Sequence, residues 1–280
     1  PVRWVLERVV GLVDAPSVAV PTLAQRLRDA EAPAFRIDAL DERSIVILPD
    51  AFTWFYTPDV VVATVRLMRA LGAQPVVHPY FENGKSSHVK GFTRKFYAIA
   101  ARVTDQLHRI AATGATMVGL DPAVTLTYRD EYVRALGERP AELRIHLIQE
   151  WLVKAMEHRD VPAGDHAVFR LLGHCTERAM ERQAMAQWRA VFERCNARLD
   201  VLPAGCCGMC GAYGHEREHA ATSRAIYDMS WSNHVHADAE ADGELLATGY
   251  SCRSQVRRID GMTLRHPVEV LAERMASPST

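Results

Sequence analysis

Ile45-Val46-Ile47-Leu48-Pro49-Asp50 is a run of four apolar residues stopped by a proline and an acid. An unbroken apolar run of this length predicts a strand buried on both faces, as in a parallel sheet. A helix is expected next. Thr57-Pro58 puts proline at a first helical position. Val61, Val65 and Met68 then recur at helical spacing up to a stop at Gly72. Gln74–His78 predicts the second strand. After a loop from Pro79 to Lys90, a long helix is expected from Gly91 to Thr113, ended by Gly114. Ala115–Leu120 predicts a third strand, and Asp121-Pro122 opens another helix running through Tyr132. Strand and helix alternate three times, which is the pattern of a doubly wound sheet.

The second half repeats this order. Residues 144–158 predict an amphipathic connecting helix with Trp151 and Leu152 on its apolar side. Ala167–Leu172 predicts a strand ending at Gly173-His174-Cys175. Thr176 is expected to cap a helix carrying Met180, Met185, Trp188, Val191 and Phe192 as a core stripe. Arg198–Leu202 is the next strand, followed by the loop Gly205–Gly211 and a helix from Gly214 to Trp231. Glu244–Thr248 is the last strand, Cys252 opens a helix, and Pro267 starts the terminal one. The halves match element for element at an offset of about 125 residues, which indicates internal duplication. Pro49-Asp50 falls against His174-Cys175, Phe81–Gly84 against Cys206-Cys207-Gly208, and Asp121-Pro122-Ala123 against Tyr250-Ser251-Cys252. The expected fold is α/β: two duplicated βαβαβα units with parallel sheets, related by a pseudo-two-fold. Residues 1–43 are expected to be a lead-in or linker with a short helix capped by Thr22. Residues 44–143 form the first repeat, without cysteine, and 144–280 form the second.

Composition narrows the function classes. Hydrophobic content of 48%, charged content of 24% and a net charge of −1 describe a globular chain. No field of one sign points to nucleic acid. No run of about 18 apolar residues predicts a membrane span. The chain begins Pro-Val-Arg-Trp, without methionine or a signal-peptide pattern, as a piece of a longer polypeptide would. Six cysteines are too few for a disulfide scaffold. Their clustering, without a secretory signal, favours reduced thiols in a cytoplasmic protein.

Those thiols carry the chemistry. Cys175 ends one predicted strand, Cys206 and Cys207 follow the next, and Cys252 follows the third. In a parallel sheet, loops at the carboxyl ends of strands share one edge, where ligands bind. Four thiolates meeting there match an iron–sulfur cluster or an all-cysteine zinc site. Soft sulfur excludes calcium and magnesium. A zinc ribbon requires two close Cys-x-x-Cys pairs, and only Cys207 and Cys210 have that spacing.

The order Cys, Cys-Cys-Gly, Cys in a duplicated α/β unit resembles the cysteine-rich CCG domain. That domain occurs in heterodisulfide reductase, in anaerobic glycerol-3-phosphate dehydrogenase, and in glycolate- and lactate-oxidising complexes. Gly205-Cys206-Cys207-Gly208-Met209, Tyr213-Gly214-His215-Glu216 and Ala247-Thr248-Gly249-Tyr250-Ser251-Cys252-Arg253-Ser254-Gln255 resemble the C-terminal part of large FAD-linked oxidases of D-2-hydroxy acids, such as D-lactate or D-2-hydroxyglutarate. The resemblance spans residues 44–272. It implies a [4Fe–4S]-type cluster on Cys175, Cys206, Cys207 and Cys252. It also implies FAD on a missing upstream domain or partner polypeptide, with no activity for this part alone. A peripheral membrane electron acceptor is a candidate partner. The alternative is a zinc-binding or metal-free docking module of the same enzyme. Two departures stand out. The family pattern closes in Cys-x-x-Cys, where this chain has Gln255, and the first repeat has no cysteine. Cys210 is then a spare thiol or a substitute ligand.

His174, His215, Glu216, Arg253 and Gln255 flank the cysteines and are candidates for a supporting shell. For His174, His215 and Glu216, exposed polar residues at helix starts are an equal account, and a solvated Arg253 is at least as plain. His234 and His236 are expected in a solvated loop beside Asp238 and Glu240. Trp54, Tyr56, Tyr80 and Phe81 read as packed aromatics near the first repeat's loops. No glycine-rich nucleotide fingerprint is present.

Overall fold

The computed structural model describes residues 6–159, 166–237 and 242–276. The described chain divides into two compact units. One takes residues 19–159 and 271–276, the other 6–18, 166–237 and 242–270.

The first unit is built on β1 (Ser44–Leu48), β2 (Gln74–Val77), β3 (Thr116–Gly119) and β4 (Ile145–Leu147), in the order β2-β1-β3-β4 and all parallel. Every residue of β1 is buried, as its unbroken apolar run requires. Helices α1 (Leu23–Asp29), α2 (Ala51–Phe55), α3 (Pro58–Ala70), α4 (Thr93–Ala111), α5 (Pro122–Arg129) and α6 (Ile148–Ala155) surround it. Thr22 caps α1 in a capping box with Gln25. Helix α3 buries Val61, Val65 and Met68. Helix α4 buries Phe96, Ile99, Ala100, Val103, Leu107 and Ile110, a three- and four-residue spacing that forms one face. That face packs with Val46, Met117 and Ile145 of the sheet.

Strand β4 corrects the expectation of one helix over 144–158. Ile145 and Leu147 point into the core and His146 is half-buried between them. Three residues of alternation are too few to separate from a helical pattern. Glu150 accepts the Leu147 N–H at 2.9 Å, which starts α6 abruptly.

The second unit holds β5 (Ala167–Leu172), β6 (Ala197–Val201) and β7 (Glu244–Ala247), parallel and in the order β6-β5-β7. Its helices are α7 (Cys175–Met180), α8 (Ala184–Glu193), α9 (Ala220–His236) and α10 (Tyr250–Asp260), and α11 (Pro267–Ala276) follows. Tyr227, Trp231 and Val235 of α9 pack with Leu172, Leu245 and Val256 in one cluster. Each fully buried side chain of this size contributes roughly 1.5–3 kcal/mol.

Five local expectations change here. The cap of α7 is His174, not Thr176, and His174 accepts the Thr176 N–H. Glu181 adopts an extended backbone and divides the predicted helix into α7 and α8, so Met180 is 41% exposed rather than core. The helix placed at Gly214–Trp231 is a 3₁₀ turn, Tyr213–His215, followed by α9. His234 and His236 therefore lie in the last turn of α9, bonded to Pro203 O at 2.8 Å and Asp260 Oδ1 at 3.3 Å. Asp238 and Glu240 lie outside the described residues. Cys252 sits inside the first turn of α10, which begins at Tyr250. Among the described residues no helix is long and apolar enough to cross a membrane.

Candidate metal centre

In the second unit β5 is central, flanked by β6 and β7. β5 connects to β6 on one side, and β6 crosses back over β5 to β7 on the other, which opens a crevice at the carboxyl ends of the strands. Three loops line it. Cys175 follows β5, Cys206 and Cys207 follow β6, and Cys252 follows β7.

Glycine lets these loops approach. A Cβ on Gly249 would lie 2.2 Å from His174 Cδ2 and 3.3 Å from Cys252 Sγ, so only glycine fits between the β5 and β7 loops. Gly208 has φ +83°, and a Cβ there would lie 2.2 Å from Ser223 O on α9. It is glycine for both conformation and contact. The other end of the loop is pinned. Gly205 N–H donates to Ser230 Oγ at 2.5 Å, Trp231 Nε1 donates to Gly205 O at 3.1 Å, and the Arg178 guanidinium donates to Ala204 O.

The four sulfurs are coupled electrostatically as one set. Cys175 and Cys207 hydrogen-bond to Cys206, Cys207 also bonds to Cys252, and Cys175 feels the charge of Cys252. Hydrogen bonds from Cys175 and Cys207, and then from Gly208 N–H, hold the Cys206 thiol well below its ordinary range. Donation to Cys206 and burial push Cys175 and Cys207 above theirs. The thiols share their protons within the set, and a soft cation would displace them. Cys207 and Cys252 are buried, and Cys175 and Cys206 are half-buried, so the set has an inner and an outer side. None of the six cysteines is in a disulfide. Cys210 is exposed on the outer turn with φ +44°, and the hydrogen bonds among the four sulfurs do not involve it.

The flanking polar residues brace the loops. His174 Nδ1 accepts the Thr176 N–H at 3.2 Å, so a neutral ring carries its proton on Nε2. Arg253 is buried, not solvated; Nη1 donates to Ala247 O at 3.1 Å and Thr248 O at 3.0 Å, tying off the end of β7. Gln255 is fully buried. Its amide donates to Ser223 Oγ at 2.8 Å and Ser223 O at 3.2 Å, and its oxygen accepts from Arg258. It thereby holds the stretch of α9 that Gly208 passes. His215 is also buried. It pairs with Val13 O at 3.1 Å and Ser254 Oγ at 3.4 Å, and burial lowers its pKa. Glu216 is half-buried, 3.5 Å from His219 Nε2, and bridges to Leu12. Sequence reasoning missed Glu177, Thr248, Ser223 and Ser230. Glu177 and Thr248 lie within about a turn of Cys175 and Cys252, which was the available signal, while Ser223 and Ser230 on α9 gave none.

The first unit's equivalent crevice has different chemistry. Asp50 and Asp121, both buried, cap α2 and α5 at the ends of β1 and β3. The helix caps align Asp50 with His174 and Asp121 with Gly249, one residue from the sequence alignment. Burial and the Asp121 charge push Asp50 up to about 6, despite bonds from Thr53 and Phe52. Tyr80 packs on Phe55 and Phe81 on His78, with ring centroids 5.1 Å apart in each pair.

No family model matches the chain. The chain is 42% identical over 279 residues to D-2-hydroxyglutarate dehydrogenase of Escherichia coli, which covers 97% of this chain and 27% of that protein. The enzyme of the same name from Pseudomonas putida is 40% identical over 281 residues, again 97% of this chain and 27% of the relative. One polypeptide of the anaerobic glycerol-3-phosphate dehydrogenase of E. coli is 24% identical over 192 residues, covering 66% of this chain and 47% of that polypeptide. The chain thus spans little more than a quarter of the two D-2-hydroxyglutarate dehydrogenases.

Proposed function

We propose that this chain is the iron–sulfur portion, a CCG domain, of an FAD-linked dehydrogenase of D-2-hydroxy acids. In this reading Cys175, Cys206, Cys207 and Cys252 hold a [4Fe–4S]-type cluster. The observation that carries it is the meeting of these four sulfurs at one sheet edge. The chain's similarity to D-2-hydroxyglutarate dehydrogenase over 97% of its length supports the substrate class.

Four soft thiolates at one sheet edge suit an iron–sulfur cluster. Bound there, the cluster supplies one-electron transfer. The chain's own residues hold and orient it. Cys207 and Cys252 would hold it from the buried side, away from water. Cys175 and Cys206 face the accessible side, where the flavin portion would dock. FAD belongs to another part of the polypeptide or to a partner, and a peripheral membrane acceptor would take the electrons onward.

Anaerobic purification tests the reading by iron and sulfide quantification and by EPR of the reduced chain. About four irons and four sulfides are expected for this cluster type. Stoichiometric zinc without iron overturns it. The loss of the closing cysteine at Gln255 favours a second reading, a zinc-binding or metal-free docking module. That reading gains if Cys206→Ser leaves electron transfer of the full-length enzyme intact while lowering its Tm.

A further inference from the structure

A fully buried carboxylate stands behind the sulfurs. Glu177 is 0% exposed, two residues past Cys175 on α7. Trp188 Nε1 donates to its Oε1 at 2.9 Å. Thr248 Oγ1 donates to its Oε2 at 2.7 Å. The same threonine oxygen accepts the His174 backbone N–H at 2.9 Å. A hydroxyl has one proton, so the direction is fixed, from His174 through Thr248 to Glu177. Arg253 holds the Thr248 carbonyl at 3.0 Å. The β5 loop with Cys175 and the β7 loop with Cys252 are therefore joined at the Thr248 hydroxyl, whose orientation the Glu177 carboxylate fixes from behind. A buried polar chain that is satisfied at each link rigidifies what it connects.

We propose that Glu177 is a positioning residue of the metal centre: through Thr248 it sets the spacing of Cys175 and Cys252, and with it the retention and potential of the bound group. The proposal rests on the iron–sulfur reading above. Outer residues that hydrogen-bond ligand-bearing segments orient the ligands in this way. Glutamine cannot replace the carboxylate. Its amide offers one acceptor oxygen: turned to Thr248 it sets an N–H against the Trp188 N–H, and turned to Trp188 it leaves the Thr248 O–H without an acceptor. An isosteric change therefore breaks the chain at one end without emptying the core.

Glu177→Gln, Thr248→Val, Thr248→Ser and Trp188→Phe separate positioning from stability. In the anaerobically purified 280-residue chain, Glu177→Gln and Thr248→Val should lose at least half of the iron and sulfide and shift the potential of what remains. Thr248→Ser keeps the hydroxyl and should restore both. Trp188→Phe should lower Tm and leave the EPR spectrum unchanged. A metal-free measurement runs in parallel. With Cys206 and Cys207 both changed to serine, the equilibrium of a Cys175–Cys252 disulfide is read against glutathione. Glu177→Gln should lower that constant at least tenfold. An unchanged constant overturns the proposal, whatever the metal content. A wild-type chain without iron overturns the iron–sulfur reading, and the disulfide constant alone then decides on Glu177.

Discussion

Gly208→Ala probes the loop that carries Cys206 and Cys207. Two costs add at this position. The backbone at φ +83° is left-handed, which costs alanine about 1–2 kcal/mol. The new methyl would lie 2.2 Å from Ser223 O and 3.1 Å from Ser223 C, which is helix backbone and cannot rotate away. Gln255 also donates to that carbonyl, so moving α9 strains a second contact. Overpacking of this kind costs about 1–3 kcal/mol. The sum predicts a loss of about 2–5 kcal/mol. Gly211→Ala is the control. It lies in the same loop at φ +67°, but nothing stands within 4 Å of the place its methyl would take, so it carries the backbone cost alone. Urea unfolding followed by tryptophan fluorescence reads the difference, because Trp231 donates to Gly205 at the head of the loop. If both variants lose the same stability to within about 0.5 kcal/mol, the close passage of Gly208 over Ser223 is refuted.

Cys210→Ser should keep the iron content of the wild type, whereas Cys206→Ser should lose it; elemental analysis of the two variants decides whether the exposed thiol takes part. Gln255→Leu leaves Ser223 and Arg258 without their buried amide partner and should cost about 1–3 kcal/mol in chemical denaturation. Asp50 has its pKa raised by burial and by Asp121 to about 6, above an unfolded value of about 3.9. The folded state therefore binds the extra proton, and stability should fall as pH rises from about 4 to about 6, by on the order of 3 kcal/mol. Asp50→Asn keeps an N-cap oxygen and should flatten that slope; an equally steep profile in the variant would count against the facing acids.

Much of the fold was legible because its strands are short apolar runs bounded by proline, glycine and acids. Ile45–Leu48 could be little else once Pro49-Asp50 closed it. The meeting of Cys175, Cys206, Cys207 and Cys252 followed from their places at strand ends. What escaped was set by packing between elements. Ile145–Leu147 alternates for only three residues, and pairing with β3 decides its state. The break at Glu181 leaves no mark in the apolar pattern, yet it turns Met180 outward. Arg253 looks like a surface residue in one dimension, and nothing there shows Gln255 to be buried. The carbonyls of Thr248 and Ser223, supplied by other elements, draw them into the interior.

The acid pair of the first unit limits how that half of the chain could change. Asp50 and Asp121 face each other where the second unit places His174 against Gly249. A sulfur-ligated centre gathers anionic ligands in one crevice, and two buried carboxylates there would repel it. Installing cysteines after β1 and β3 would therefore give no second centre while the acids stay. Evolution or a designer must first remove the aspartates and find other caps for α2 and α5. The two halves are locked into separate chemistries by the residues that start their helices.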